Sequence, residues 1–519
     1  MPEKREQWGS KLGVILAVAG SAVGLGNFLR FPAKAVLNGG GAFMIPYFVA
    51  FLLLGIPLMW IEWTLGRMGG QRGHGTAPGI FDTLDGAGHW AKYLGTIGVL
   101  GPFIILIYYM YIESWTLAYA WYSFTNHLPF GGDQTSMKAF LSGYQGLAQN
   151  QYFSSLAPAL IFFAITFLAN FYFIYKGVQG GIEKLSKYGM PVLVAIGVLL
   201  TVRVLTLGTP DPVLPELSIR NALGFVWNPD FSRLGDAKVW IEAAGQIFFT
   251  LSVGIGVILT YASYLKKHDD VTLSGLSASA TNEFCEVILG GSIVIPAAFI
   301  FLGGAAGALS AAQSGTFNLG FVTMPMIFGR IPLGFVFSGL WFLLLFIAGI
   351  TSSVSLIQPA ISFFEDELKW THKKSVVVLG AVALAACLPA IFFLAHGFVD
   401  ELDFWGGTMF LVIFATIETI LFAWVYGMDK GWKEMHQGAQ FKVPGFYQPV
   451  IKYVTPLFLL VLLGVWSYQQ FWPALVLKGA AAADKPYIWG ARALVFGLWA
   501  VVAALVAYAW NKRKKEVSR

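Results

Sequence analysis

Gly20-Ser-Ala-Val-Gly-Leu-Gly-Asn-Phe-Leu-Arg-Phe-Pro32 interrupts an apolar segment that begins near Lys11 and is long enough to cross a bilayer. A membrane helix satisfies its backbone N–H and C=O groups internally, because hydrocarbon supplies no other partner. Glycines at 20, 24 and 26 followed by Asn27 and Arg30 do not suit a continuous lipid-facing helix. They suit a helix broken at mid-membrane, whose freed amides and carbonyls line a site. The competing reading is close helix packing through the small-x-x-x-small pair Gly20 and Gly24. Asn27 and Arg30 favour the break, since polar groups at that depth are costly and tend to be functional.

The chain of 519 residues is 56% hydrophobic and only 12% charged, with a mean hydropathy of +0.66. That balance excludes a soluble globular domain and points to a polytopic membrane protein. A net charge of +6 invites a nucleic-acid partner, but the basic residues sit between apolar spans and mostly on one side. Cys285 and Cys387 fall inside apolar spans and imply no disulfide framework. The polar stretch from Met1 to Lys11 lacks the pattern of a cleavable signal peptide.

Apolar runs predict about twelve spans, near 11–37, 41–70, 90–124, 157–175, 188–208, 238–262, 273–304, 334–365, 375–395, 398–427, 448–475 and 485–511. Alternate loops carry Lys4 and Arg5, Arg67 and Arg72, Lys184 and Lys187, Lys266 and Lys267, Lys373 and Lys374, Lys430 and Lys433, and Lys512-Arg-Lys-Lys515. The opposite loops are poor in Lys and Arg, and Asp400-Glu-Leu-Asp403 is acidic. Both termini are therefore expected in the cytoplasm, in a prokaryotic-type inner membrane.

A second irregular span runs Gly245-Gln-Ile-Phe-Phe-Thr-Leu-Ser-Val-Gly-Ile-Gly256. Like the first, it mixes hydroxyls, an amide and close glycines. Spans one and six would correspond if spans one to five and six to ten are inverted repeats. Paired Gly-interrupted helices at matching places mark the central site of a transporter; two unrelated packing helices are the alternative.

The motifs now resolve into a resemblance. Trp8, Val23-Gly-Leu-Gly-Asn-Phe-Leu-Arg-Phe-Pro32, Asn38-Gly-Gly-Gly-Ala-Phe43, Pro57-Leu-Met-Trp-Ile-Glu62 and Tyr108-Tyr-Met-Tyr-Ile-Glu-Ser-Trp115 resemble the neurotransmitter:sodium symporter family. Gly245 to Ser252, Thr351-Ser-Ser353 and Asp403-Phe-Trp405 extend the likeness over essentially the whole chain. The likeness includes its bacterial leucine-transporting members. The resemblance implies an all-α LeuT fold with a 5+5 inverted repeat and unwound first and sixth spans. It implies inner-gate residues in 1–10, a core over 11–427 with repeats at about 11–208 and 238–427, peripheral spans in 428–511 and a basic tail at 512–519. The implied activity is sodium-coupled import of a neutral amino acid, with the bilayer, the amino acid and sodium as partners. Nothing in the sequence points to nucleic acid or to an obligate protein partner.

Sodium is a hard cation that takes oxygen ligands, and Asn27, Thr250 and Asn282 are neutral oxygen donors in three spans. The resemblance groups them with the Ala22 carbonyl as a first sodium site. A second would use carbonyls of Gly20, Val23 and Ala348 with the hydroxyls of Thr351 and Ser352. Read alone, a Thr-Ser-Ser run in a membrane helix bonds back to its preceding turn. Amides near Leu25 and Gly26, with the Tyr109 hydroxyl, can take a carboxylate. Carbonyls at Ala22, Phe249, Thr250 and Ser252 can take an ammonium group. By resemblance the side-chain end is Ile105, Phe249, Ser252, Ile255 and Leu356, with Ser21 and Ser352 nearby. Ile105 stands where valine is expected, Ile255 where phenylalanine is, and Ser21 where asparagine is, so the preferred amino acid is open. Monoamine carriers of the family place an aspartate at the position of Gly24, and its absence favours a zwitterion.

Arg30 and Asp403 resemble an outer ionic gate above a Tyr109–Phe249 lid, and Arg5 and Asp366 an inner one helped by Trp8, Tyr261 and Ser263. Glu62, Glu113, Glu286 and Glu418 lie within spans, where each needs a partner or a proton. Glu286 stands one turn after Asn282 and faces the first sodium site; chloride-dependent animal members carry serine there, so Glu286 is expected to substitute for chloride. An enzyme would need a catalytic constellation in a span, and none is visible. A channel would need a continuous polar pore, whereas the polar residues cluster at one depth. A proton-coupled carrier is the nearer alternative, and it would lose transport when a pH gradient collapses at constant sodium.

Overall fold

The computed structural model describes residues 6–131 and 133–517, and among these the chain is helical with no strand. Ten helices are long and apolar enough to cross a membrane unbroken, from Gly41–Gln71 and Ala91–Phe124 to Tyr447–Gln469 and Lys485–Glu516. The first span is a bent pair, Lys11–Ala22 and Leu25–Leu37, turned by 49°. The sixth, expected near 238–262 with an unwound stretch, is likewise interrupted. It consists of Ala237–Leu251 and Val257–Ser263, separated by five non-helical residues and each too short to cross alone. Ten unbroken and two broken spans make the twelve.

Burial sorts the spans into core and periphery. Of an apolar 18-residue stretch of the third span (Ala91–Phe124) 89% is buried, against only 22% in the twelfth (Lys485–Glu516). The third packs along the eighth (Gly334–Asp366), and Lys11–Ala22 lies against the fifth, seventh and eighth spans. Both halves of the sixth contact the second span (Gly41–Gln71). The two broken spans are thus held inside a ring of continuous ones. This is the one environment where unpaired backbone is tolerated at membrane depth.

The second break has a steric cause. Gly254 has φ +77° and Gly256 φ +80°, values that L side chains rarely adopt. A Cβ on Gly256 would also stand 2.3 Å from the Gly98 carbonyl oxygen, and one on Gly254 2.7 Å from that of Leu411. The freed Gly254 N–H donates to Glu62 Oε1 at 2.5 Å, which gives this buried carboxyl a partner. Ser252 takes the left-handed conformation (φ 54°) without being glycine.

Candidate functional site

At the first break Val23 turns extended (φ −73°, ψ 90°) and Gly24 remains extended (φ −118°, ψ −165°) before a new helix starts at Leu25. The Gly24 N–H donates to Asn27 Oδ1 at 2.9 Å, so Asn27 folds back over the start of its own helix. The Leu25 N–H donates to the Tyr109 hydroxyl at 3.3 Å. Helix-start amides and a phenol thus sit together, an arrangement that favours a carboxylate.

A cavity opens at this point between the two breaks. Ser21, Ala22, Leu25, Gly26, Tyr109 and Ser352 line it. Ile105, Phe249, Ser252, Ile255 and Leu356 form the rest of the wall expected from the sequence. Gly24, Gly407 and Leu411 also line it, the last two from the tenth span (Phe398–Met435). Thr250 is buried just outside the cavity and turns its hydroxyl to Glu286.

Asn27, Thr250 and Asn282 meet at this depth. Asn27 Nδ2 is 3.1 Å from Thr250 Oγ1 and 2.8 Å from the Asn282 amide, whose other end is 2.9 Å from Thr250 Oγ1. The near end of the Asn282 amide faces the carbonyl oxygens of Ala22 at 3.3 Å and Thr250 at 3.2 Å. The Ala22 and Thr250 carbonyls, the Thr250 hydroxyl and the Asn282 amide thus bring several oxygens together beside Asn27, which turns its Nδ2 to the group and its Oδ1 to Gly24. Such a cluster of oxygens fits a hard cation such as sodium. Around the second group, Ser352 Oγ lies 3.3 Å from the Gly20 carbonyl and 3.0 Å from that of Ala348. Thr351 Oγ1 donates to the Ile347 carbonyl at 2.9 Å and lies 3.2 Å from that of Ala348. Val23 stands in the break itself.

A second cavity continues from Phe249 and Tyr109 toward Asp400 and Thr316, away from the termini. The Arg30 guanidinium lies over the Phe249 ring, 4.1 Å from its centroid, an attractive cation–π arrangement. Arg30 and Asp403 share this cavity without a direct ion pair; Asp403 instead accepts the Tyr108 hydroxyl at 2.5 Å. On the side of the termini, Trp8 is buried and donates from Nε1 to the Tyr261 carbonyl at 2.8 Å, with the two rings edge-on at 5.2 Å. Ser263 Oγ donates to the Thr260 carbonyl. Asp366 accepts the Ser362 hydroxyl at 3.2 Å, and Arg5 lies outside the described residues.

Three donors converge on Glu286. They are the Tyr47 hydroxyl at 3.0 Å, the Gln246 amide at 2.5 Å and the Thr250 hydroxyl. Glu283, which sequence reasoning passed over, shares Tyr47 at 2.7 Å. The serine pair Ser21 and Ser355, at 2.7 Å, was also not singled out. A membrane helix with serines at 352, 353 and 355 carries the signal for it, but only the packing shows which hydroxyl faces the cavity.

Comparison with known proteins agrees with this architecture. The model of the sodium:neurotransmitter symporter family matches residues 5–207 and 150–510. An uncharacterized sodium-dependent transporter of Methanocaldococcus jannaschii is 32% identical over 88% of this chain and 89% of its own length. The sodium-dependent dopamine transporter of Bos taurus is 28% identical over 91% of this chain and 70% of its own. Among solved structures, MhsT in complex with L-phenylalanine matches with a TM-score of 0.74 and 30% identity, covering 88% of this chain and 99% of that one. A multi-pass helical bundle with two broken spans, oxygen clusters at both breaks and these relatives has one reading: the chain belongs to the sodium:neurotransmitter symporter family and is a sodium-dependent transporter of the LeuT fold.

Proposed function

We propose that the chain imports a neutral amino acid with an aliphatic or medium-sized hydrophobic side chain, together with two sodium ions, by alternating access. The observation that carries this reading is the cavity between the two breaks, with amides and a phenol at one end and Ile105, Ile255, Leu356 and Leu411 at the other. A zwitterion satisfies the polar end, and its apolar side chain fills the rest. MhsT, similar along most of its length, was solved with L-phenylalanine, an amino acid of this class. In this reading 11–427 forms the core of two inverted repeats, 428–511 is peripheral, and the termini are cytoplasmic. The Trp8 side is then the closed inner gate, and the cavity beyond Phe249 is the outer vestibule.

Two sodium ions and a zwitterion carry two positive charges inward. At about 2.3 kcal/mol per charge per 100 mV, the potential alone contributes roughly 4.6 kcal/mol, or about three decades of accumulation. Uptake into reconstituted vesicles should require sodium and should accelerate when the interior is made negative. Uptake indifferent to both overturns the proposal.

The lid gives a second expectation. A Cβ on Gly26 would stand 2.5 Å from the Phe249 ring, which also carries the Arg30 guanidinium 4.1 Å from its centroid. Overpacking of this kind costs about 1–3 kcal/mol, so Gly26→Ala is expected to weaken substrate affinity roughly 5- to 150-fold. Adding Phe249→Leu should recover part of that loss, because the pair is in contact and its effects are not additive. Equilibrium binding to the purified single and double variants provides the check.

A further inference from the structure

We infer that Ser21 and Ser355 make the pocket select for a hydrogen-bond donor on the substrate's side chain; this rests on the amino-acid reading above. Ser21 Oγ and Ser355 Oγ are 2.7 Å apart, and either could be the donor on distance alone. The Ser355 proton, however, is directed at the Ser352 carbonyl at 2.6 Å. A hydroxyl has one proton and two lone pairs, so Ser21 donates to Ser355 and is left as an acceptor.

The neighbouring serine hydroxyls likewise direct their protons at backbone carbonyls. Ser252 Oγ donates to the Ser21 carbonyl at 3.1 Å, and Ser352 Oγ faces the carbonyls of Gly20, Ser21 and Ala348 at 3.0–3.3 Å. The Tyr109 hydroxyl stands at the carboxylate end, against the Leu25 amide. Ser21 lines the cavity while Ser355 is fully buried behind it. The serine hydroxyls near Ser21 therefore present lone pairs, while the Tyr109 hydroxyl, which accepts the Leu25 N–H, keeps its own proton for the substrate carboxylate. A side-chain N–H or O–H satisfies the Ser21 oxygen when the lid closes. An apolar isostere leaves that oxygen dehydrated, and a side-chain acceptor opposes it. Ser355 acts as a positioning residue, since it fixes which way the Ser21 proton points.

The test is sodium-dependent binding of paired isosteres to the purified carrier. Tryptophan is compared with 3-(3-benzothienyl)alanine, which exchanges N–H for sulfur, and threonine with valine. The readout is the ratio of affinities within each pair, which a merely structural defect leaves in place. In Ser21→Ala the preference for the donor member should fall about three- to tenfold, the range of one net hydrogen bond. In Ser355→Ala, which keeps Ser21 but frees its proton, the ratio should fall likewise. Ser21→Cys, a weak hydrogen-bonding group of similar size, should move it in the same direction. Ratios unchanged in all three variants overturn the inference, as do equal losses for both members of a pair. A wild-type carrier that binds none of the four amino acids with sodium overturns the amino-acid reading itself.

Discussion

Glu286→Ser is expected to turn a chloride-indifferent carrier into one that stops when chloride is replaced by gluconate and resumes when chloride returns. The argument begins with charge. The two sodium ions and one substrate carboxylate proposed above would leave a surplus positive charge in a site removed from water, which a fixed carboxylate one turn from Asn282 would offset. It continues with geometry. The Tyr47 hydroxyl, the Gln246 amide and the Thr250 hydroxyl all donate to the Glu286 carboxylate. Truncation to serine leaves these three donors facing a space the size of the lost carboxylate, with the new hydroxyl as a fourth. Donors converging on a vacated anion position form an anion site, which chloride can fill. Glu283 shares Tyr47 and opposes a second negative charge nearby, so the variant is also measured with Glu283→Gln added. Uptake in wild type should be equal in both media. A wild type that needs chloride, or variants indifferent to it in both backgrounds, shows that Glu286 does not hold the anion's place.

Much of this architecture was legible in the sequence because hydropathy and glycine report different things. Apolar runs place the spans, since length across hydrocarbon is a property of composition. Gly20, Gly24 and Gly26, and again Gly254 and Gly256, place the breaks because they are positions where continuous helix is not favoured. What hydropathy does not carry is the rotation of a helix about its axis. Leu411 lies in an apolar run with nothing to distinguish it from a lipid-facing residue, yet it lines the cavity beside Gly407. Gly406 explains how the tenth span comes so near: a Cβ there would stand 2.8 Å from the Ile104 side chain. By hydropathy the sixth span is one run over 238–262, and only Ser252, Gly254 and Gly256 within it mark the break. Arg30 and Asp403 were expected as a pair, and both reach the outer cavity. Tyr108, however, takes the carboxylate and Phe249 the guanidinium. Such choices among neighbours depend on side-chain packing, which one-dimensional spacing does not encode.

Gly24→Asp is expected to weaken binding of neutral amino acids by two to three orders of magnitude while leaving room for an amine that lacks a carboxylate. Gly24 sits in the first break, directly before the helix whose amides face the cavity. A Cβ added there would stand 3.0 Å from both the Tyr109 hydroxyl and Ser352 Oγ. An aspartate side chain would therefore project its carboxylate into the space beside Tyr109 and the Leu25 amide, where the substrate carboxylate is proposed to bind. Two like charges about 4 Å apart repel by about 4 kcal/mol at an effective dielectric constant near 20, which corresponds to roughly three decades in Kd. Partial protonation or a shift of either group reduces this, so a loss of about 10²–10³ is the expected range. A substrate amine without a carboxylate reverses the sign, since the new side chain then supplies the missing charge. Gly24→Asn is the control for volume: it adds nearly the same atoms without the charge and should lose far less affinity. Binding of valine and of isobutylamine, valine without its carboxyl group, to wild type, Gly24→Asp and Gly24→Asn in the presence of sodium distinguishes these effects. If valine binds Gly24→Asp and Gly24→Asn equally well, charge at this position does not decide selectivity. The carboxylate of the substrate must then lie elsewhere than beside Tyr109.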